Sequence, residues 1–219
     1  MAGNALLIYE PIDHYKNPRI SWKYNPGLRR VRRAPNVAYD YPGTASDGLR
    51  TTDDWNLFNG ATDRYNWKLI GKKEIYIPYN CYALHSKNTQ YKDILHPGHI
   101  NPDLVRYELH RTWIVEATLK KGIRHIYSKR RFYLDEDSWY CVLAEMYDGR
   151  GELWRVIVSH SINYYDVPAI WSTLEVFHDL FARRYLASNL DNEYKIIDFK
   201  QKFSKKDFTT GALRRIGVR

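Results

Sequence analysis

The chain has 219 residues, 44% hydrophobic and 27% charged, with a formal net charge of +9. That is enough apolar material for one sizeable domain and far from the composition of disorder. No run of about eighteen apolar residues occurs, and the opening MAGNALLIYEPIDHY lacks a basic leader and breaks at Pro11, so neither a spanning helix nor a signal peptide is read here.

Strand-like runs are expected at residues 5–10, 20–24 and 28–33, where apolar, β-branched and aromatic residues alternate with polar ones. The third run, Leu28-Arg29-Arg30-Val31-Arg32-Arg33-Ala34, carries four arginines. In a strand, Arg29 and Arg33 share one face and Arg30 and Arg32 the other, so at least one pair is expected to turn inward. Inward arginines need carboxylates, since an unpaired buried charge is costly. Asp40, Asp47, Asp53, Asp54 and Asp63 follow at once and are expected to hold Arg29, Arg30, Arg32 and Arg33 in a charge network. The resulting near-neutrality argues against nucleic acid as a partner, which requires uncompensated charge along a face.

Residues 46–59 are expected to hold a short helix, and 67–77 a strand. The density of Pro, Gly, Asn and His in 80–103 indicates a long surface connection. Strands follow at 106–119, 123–134, 139–147 and 152–164. Within the stretch FYLDEDSWYCVLAEMYDGRGELWRVIVSHSINYY, Asp135-Glu136-Asp137-Ser138 and Asp148-Gly149-Arg150-Gly151 read as tight turns joining three antiparallel strands. From Pro168 to Leu186, Ile170, Leu174, Phe177, Phe181 and Tyr185 recur at helical spacing and predict an amphipathic helix. Residues 195–219 form a basic extension, eight Lys and Arg against Asp198 and Asp207, a net +6, able to reach an anionic membrane surface or simply to be solvated.

No reactive constellation stands out. His96-Pro97-Gly98-His99 pairs two imidazoles, with His85 or His110 as third ligands, but no carboxylate or thiolate stands at ligand spacing, so no metal is expected. Ser159-His160-Ser161 lies in a strand, where neighbours point to opposite faces and cannot act as nucleophile and base. Gly71-Lys72-Lys73-Glu74 lacks the earlier glycine of a phosphate loop, and no dinucleotide fingerprint occurs, so no cofactor is expected. Asp135, Glu136 and Asp137 read as a solvated turn rather than an acid–base pair. Cys81 and Cys141 read as small buried thiols, with a disulfide as the alternative. The 19 Tyr and 7 Trp suit wide β-surfaces, their rings apolar and their tips polar.

The run WKYNPGLRRVRRAPNVAYDYPGTASDGLRTTDDWNLFNGATDRYNWKLIGKKEIYIPYN, together with HPGHINPDLVRYELHRTWIVEATLKKGIRHIYSKRRFYLDEDSW and the ending DFTTGALRRIGVR, resembles a bacterial cell-envelope family of unknown function whose members look like distant relatives of the LolA and LolB lipoprotein carriers. The resemblance covers essentially the whole chain. It implies a mainly β fold with some helix: a strongly curved antiparallel sheet, an unclosed barrel with helices covering its concave face, over residues 1–194. It also implies a non-catalytic protein of the periplasm or outer membrane of a Gram-negative bacterium, binding a lipid or a lipoprotein's acyl chain. Members are usually longer, with an export signal and further strands upstream, so this chain is expected to be a C-terminal portion. Candidate cavity residues are Trp22, Tyr24, Trp67, Trp113, Tyr133, Trp139, Trp154 and Phe177. The same features would build an interior packed with its own side chains, or an assembly module of an outer-membrane or efflux-associated system whose exposed edges pair with another chain. Self-association is expected through the apolar edge formed by Leu6 to Tyr9.

Overall fold

The computed structural model describes residues 3–14, 16–34, 38–194 and 197–218. Strands β1 (Ala5–Tyr9), β2 (Ile20–Asn25) and β3 (Arg30–Arg33) make a small antiparallel sheet. Its Leu7 and Tyr24 pack against Leu213 of the C-terminal helix introduced below. Residues 38–64 then run without regular strand, through a 3-10 segment Thr52–Leu57 that is broken at Trp55 and Asn56, where a short helix was expected.

Strand β4 (Tyr65–Pro78) leads into two single-turn helices, α1 (Tyr82–His85) and α2 (Tyr91–Ile94), and the hairpin β5 (Leu95–His96) and β6 (His99–Ile100). A meander follows: β7 (Tyr107–Leu119), β8 (Lys129–Asp135), β9 (Cys141–Tyr147), β10 (Leu153–Tyr164), β11 (Ala169–Asp179) and β12 (Arg184–Ser188). The order in the main sheet is β12-β11-β10-β9-β8-β7-β4, every neighbour antiparallel. The outer strands β4 and β12 do not pair, so the sheet is open.

The sheet is strongly curved. Flat, β4 and β10 would lie four strand spacings apart, about 19 Å. Instead Ser161 Oγ in β10 lies 3.5 Å from the Pro78 carbonyl at the end of β4, and the Cys81 amide donates to the Ser161 carbonyl at 3.0 Å. The curl leaves two packed faces. On one, Leu57, Tyr65, Ala117, Phe132, Ala144, Met146, Ile157 and Phe177 form a core under the 38–64 segment. On the other, α1, α2 and the β5–β6 hairpin bury Cys81, Leu84 and Ile94 against Ile162, Leu174 and Val176. The two cysteines are free.

Three expectations are corrected. Residues 168–186 are not a helix but β11, a turn at 180–183 with Arg183 at φ 52°, and β12. From Ser172 to Phe177 every residue of β11 is buried, so the strand shows no alternation, and its apolar residues fall by coincidence at helical spacing. The expected strand at 123–134 begins only at Lys129, because His125 and Tyr127 are drawn into the core. Third, Arg29, Arg30, Arg32 and Arg33 are all exposed and, among the described residues, form no ion pair. The small sheet needs only one buried face, and exposed guanidinium groups keep their hydration at no cost.

The C-terminal segment folds back on the chain's beginning. The helix α3 (Thr210–Val218) lies on β1 and β2, and the Tyr9 hydroxyl donates to the Phe208 carbonyl at 2.6 Å. Lys195 and Arg219 of the basic extension lie outside the described residues.

Candidate functional site

The buried aspartates do form a charge network, with partners distant in sequence. Arg130, fully buried on β8, donates to Asp53 Oδ2 at 3.1 Å and to Asp54 Oδ1 at 2.6 Å. His125 Nε2 lies 3.1 Å from Asp53 Oδ2, and the Tyr127 hydroxyl donates to Asp54 at 2.8 Å. Arg155 extends the network to Asp179 at 3.2 Å and to the Gly48 carbonyl at 2.8 Å. Burial opposes ionisation of both acids; at Asp53, Arg130 and His125 outweigh it and hold the carboxyl below its ordinary range, whereas at Asp54 burial prevails. The network fastens the 38–64 segment to the sheet. Of the other aspartates in that segment, Asp63 accepts from Tyr39 at 2.9 Å and Asp47 pairs with Arg184 at 2.7 Å. Asp40 is half-buried and, among the described residues, in no ion pair.

Beside this network opens a cleft of about 330 Å³, walled by Phe58, Trp67, Val115, Phe132 and Leu134, with Asn56, Trp139, Tyr140 and Cys141 completing it. Phe58 meets Trp67 and Phe132 edge-on at 5.2 and 5.5 Å, and Trp67 stacks on Phe132 at 5.8 Å. The Trp139 ring, 66% exposed, stacks on Trp113 at 6.4 Å, and the Lys72 ammonium lies 4.3 Å from the Trp113 ring centre. The opening is thus a ledge of flat rings, apolar in body, at the lower end of the about 300–1,000 Å³ common for ligand sites. Asn56 and Leu57 adopt φ of 49° and 65°, the left-handed region, where the 38–64 segment bends over the cleft.

Of the eight aromatic candidates, the structure brings Trp67, Trp113 and Trp139 together here. Phe177 lies deeper in the same core, and Trp154 packs between Tyr127 and Phe181 and donates to Asp179 at 3.1 Å. Tyr133 points to the opposite face and donates to Glu145 at 2.9 Å. Trp22 and Tyr24 belong to the small sheet, Trp22 against Tyr9 and Tyr24 beneath α3, and are no part of the cleft. Sequence reasoning missed Phe58, Phe132, Tyr140 and Asn56. Phe132 was readable as the partner of Val115 and Ala144 once the β7–β8–β9 register is known; Phe58 and Asn56, on irregular chain, gave no periodic signal.

Other polar groups find quieter roles. His160 is buried with Nδ1 3.2 Å from the Leu174 carbonyl, and burial lowers its pKa to about 4. His96 and His99 sit at the β5–β6 tip with ring centres 5.5 Å apart. His110, Asp135 and Asp137, from β7 and the β8–β9 turn, bring ligand atoms within 4.8 Å of one another, a grouping that sequence spacing did not suggest. Asp135 is already committed to His110 Nδ1 at 2.8 Å and to the Ser138 amide and hydroxyl at 2.9 and 2.5 Å, contacts that tie the hairpin tip. At the other end of the molecule, exposed Phe203, Phe208 and Ile216 adjoin Lys202 and Arg215 around a groove of about 540 Å³ between β1 and α3.

Residues 1–214 match the model of a family described as a protein of unknown function, DUF1329. The chain belongs to the DUF1329 family. It is 56% identical over 220 residues to the uncharacterized protein PA3922 of Pseudomonas aeruginosa, covering all of this chain and 48% of that protein, so the chain spans about half the length of this curated relative. Two solved structures share the fold. A domain assigned to outer membrane lipoprotein sorting, from Vibrio parahaemolyticus, matches with a TM-score of 0.60 and 16% identity over 97% of this chain and 72% of its own. A DUF1329 family protein from Desulfovibrio piger matches at 0.58 and 17% over 96% and 71%. The open, curved antiparallel sheet is therefore the DUF1329 fold, shared with the Vibrio parahaemolyticus domain despite low identity.

Proposed function

We propose that this chain is a lipid- or lipoprotein-binding part of a cell-envelope protein, acting on the periplasmic side of an outer membrane and holding an acyl chain without covalent chemistry. The observation that carries this reading is the aromatic cleft on one face of the open sheet. Burying a chain there gains roughly 25 cal/mol per Å² of apolar surface, and the stacked rings are already in place, so little side-chain ordering opposes binding. The likeness in fold to a lipoprotein-sorting domain supports the same assignment. The groups on the cleft suit binding better than catalysis: burial pushes the Cys141 thiol up to about 12, leaving it protonated and a poor nucleophile.

Native mass spectrometry of protein purified from cells tests the reading, on this chain and on the longer Pseudomonas relative. Co-purifying acyl lipid, lost with Trp139→Asp at the exposed rim, is the expected result. A protein that is consistently empty and takes up no hydrophobic fluorophore would refute it and favour a cleft filled by the rest of the longer protein.

A further inference from the structure

Behind the Asn56–Tyr140–Cys141 wall of the cleft, the interior is polar and incompletely paired. Glu175, in the middle of β11, has 0% of its surface exposed; the Asn56 backbone amide stands near it, but neither carboxylate oxygen meets a partner in full hydrogen-bond geometry. The side chains of Asn56, Tyr140, Ser159 and Ser172 each leave a buried oxygen without a partner as well. These residues are neighbours. Glu175 stands opposite Ser159 in the β10–β11 register, Ser172 opposite Ser161, and the Tyr140 hydroxyl lies beside Ser159. Asn56, Tyr140 and Cys141 are at once part of the cleft wall and the immediate surroundings of Glu175. The nearest cation, Arg50, lies over the Trp55 and Phe177 rings at 5.2 and 5.9 Å and forms no ion pair with Glu175 among the described residues.

Tyr140 and Ser159 can satisfy each other by a small rotation. Glu175 has the Asn56 backbone amide beside it, one donor for two oxygens. A buried carboxyl group short of partners costs about 1–3 kcal/mol or more, which native proteins tolerate chiefly where a ligand, ion or water completes the set. The unpartnered atoms of this inner group are all oxygens, and two of the residues, Glu175 when ionised and Asn56 through Oδ1, can only accept. For the ionised Glu175 the component that completes the set is therefore a donor. A carboxylate or phosphate would meet a like charge in a dry site and is disfavoured.

Resting on the reading of the cleft as an acyl-chain site, we propose that its inner end binds the head group of a single-chain amphiphile, and that this head group is a hydrogen-bond donor, an amine or a hydroxyl, received by Glu175 with Asn56 and the surrounding hydroxyls. The chain then lies outward over Phe132, Trp67 and Trp139. Burial supports the assignment by raising the Glu175 pKa to about 7, with Arg50 and the Asn56 backbone pulling it partway back, so that a cationic head group would recover the charged form.

The test displaces a neutral naphthylamine fluorophore from the cleft with dodecylamine, dodecanol, dodecanoate and dodecyl phosphate, each below its micellar concentration, near neutral pH. The amine or the alcohol should compete at concentrations lower by about ten-fold or more than the two anions, the size of one charge-assisted hydrogen bond. Which of the two leads tells an amine from a hydroxyl source. Glu175→Gln, an isosteric change whose folding is checked by its melting curve, should remove the amine's advantage and bring dodecanoate closer to the alcohol. Four amphiphiles that bind alike, or a preference unchanged in Glu175→Gln, would overturn the head-group assignment while leaving the acyl-chain reading in place; bound water alone would give this result. If no dodecyl compound displaces the fluorophore, both readings fall.

Discussion

Glu175 makes a prediction about stability that needs no ligand. Burial raises its pKa from 4.5 to about 7 in the folded protein, against Arg50 and the Asn56 backbone, which favour the charged form. A carboxyl whose folded pKa is raised contributes its full stability below the unfolded pKa and loses it as pH rises through the folded value. The shift of roughly 2.5 units corresponds to about 3 kcal/mol, lost between about pH 4.5 and pH 7 and constant above. Glu175→Gln cannot ionise, so relative to the wild type it should gain that amount over the same window, equivalent to about 6–12 °C in Tm for a chain of this size. Scanning calorimetry of both proteins at about pH 5 and about pH 8 measures it, and the low-pH difference fixes the pH-independent effect of exchanging a hydroxyl for an amide. The other titratable groups, His160 among them, are common to both proteins, so their pH dependence largely cancels. A Tm difference that does not change between the two pH values would show that Glu175 ionises freely in the folded state and would remove the argument that its oxygens lack partners.

The Asp53–Asp54–Arg130 network gives a second prediction: Arg130→Met removes the guanidinium that two buried acids share and should cost about 3–5 kcal/mol in urea unfolding. Single changes of the exposed Arg29, Arg30, Arg32 or Arg33 to Ser should stay within about ±0.5 kcal/mol; equal effects at the two sets would show that Arg130 is not the partner that matters. A third concerns the return of the C-terminus. A Cβ at Gly217 would collide with the Tyr24 ring, so Gly217→Ala should loosen α3 and expose Arg214 and Arg215 to trypsin while the main unfolding transition stays put, and an unchanged digestion pattern would mean that α3 docks elsewhere.

What the sequence discloses here depends on whether a strand has a wet face. In β9 exposure alternates strictly along Cys141–Tyr147, and the turn beside it carries its own chemistry, with Asp148 Oδ1 accepting from the Arg150 and Glu152 amides and Gly151 at φ 84°. The three-strand meander of residues 132–165 was therefore legible at once. In β11 both faces are dry, and the same residues that fill two cores also fit a helical stripe. Glu175 disappeared in that misreading, as one more polar position on a helix, although an acid between Leu174 and Val176 in a strand buried on both sides is an anomaly worth explaining.

Pairing across the fold is the other thing that local pattern does not carry. Asp53 and Asp54 were expected to hold Arg29, Arg30, Arg32 and Arg33, yet the arginine they meet lies 77 and 76 residues away, at a position set by the register of β7 on β8. The cleft depends on register even more finely. Between Tyr133 and Leu134 the β8–β9 ladder skips Val142, so that Leu134 faces Cys141. A shift of one residue exchanges the two faces of a strand. The bulge therefore sends Val142 to the far face, against Ile77 and Tyr133, and turns Cys141, with the Trp139–Tyr140 turn before it, toward Phe132 and the unpartnered carboxyl of Glu175. Phe132 and Glu175 share a face through the Phe132–Ala144–Ile157–Phe177 ladder regardless, but without that extra residue Cys141 and the Trp139–Tyr140 turn would stand on the other side of the sheet, so this one irregularity is what brings that turn to the proposed amphiphile site.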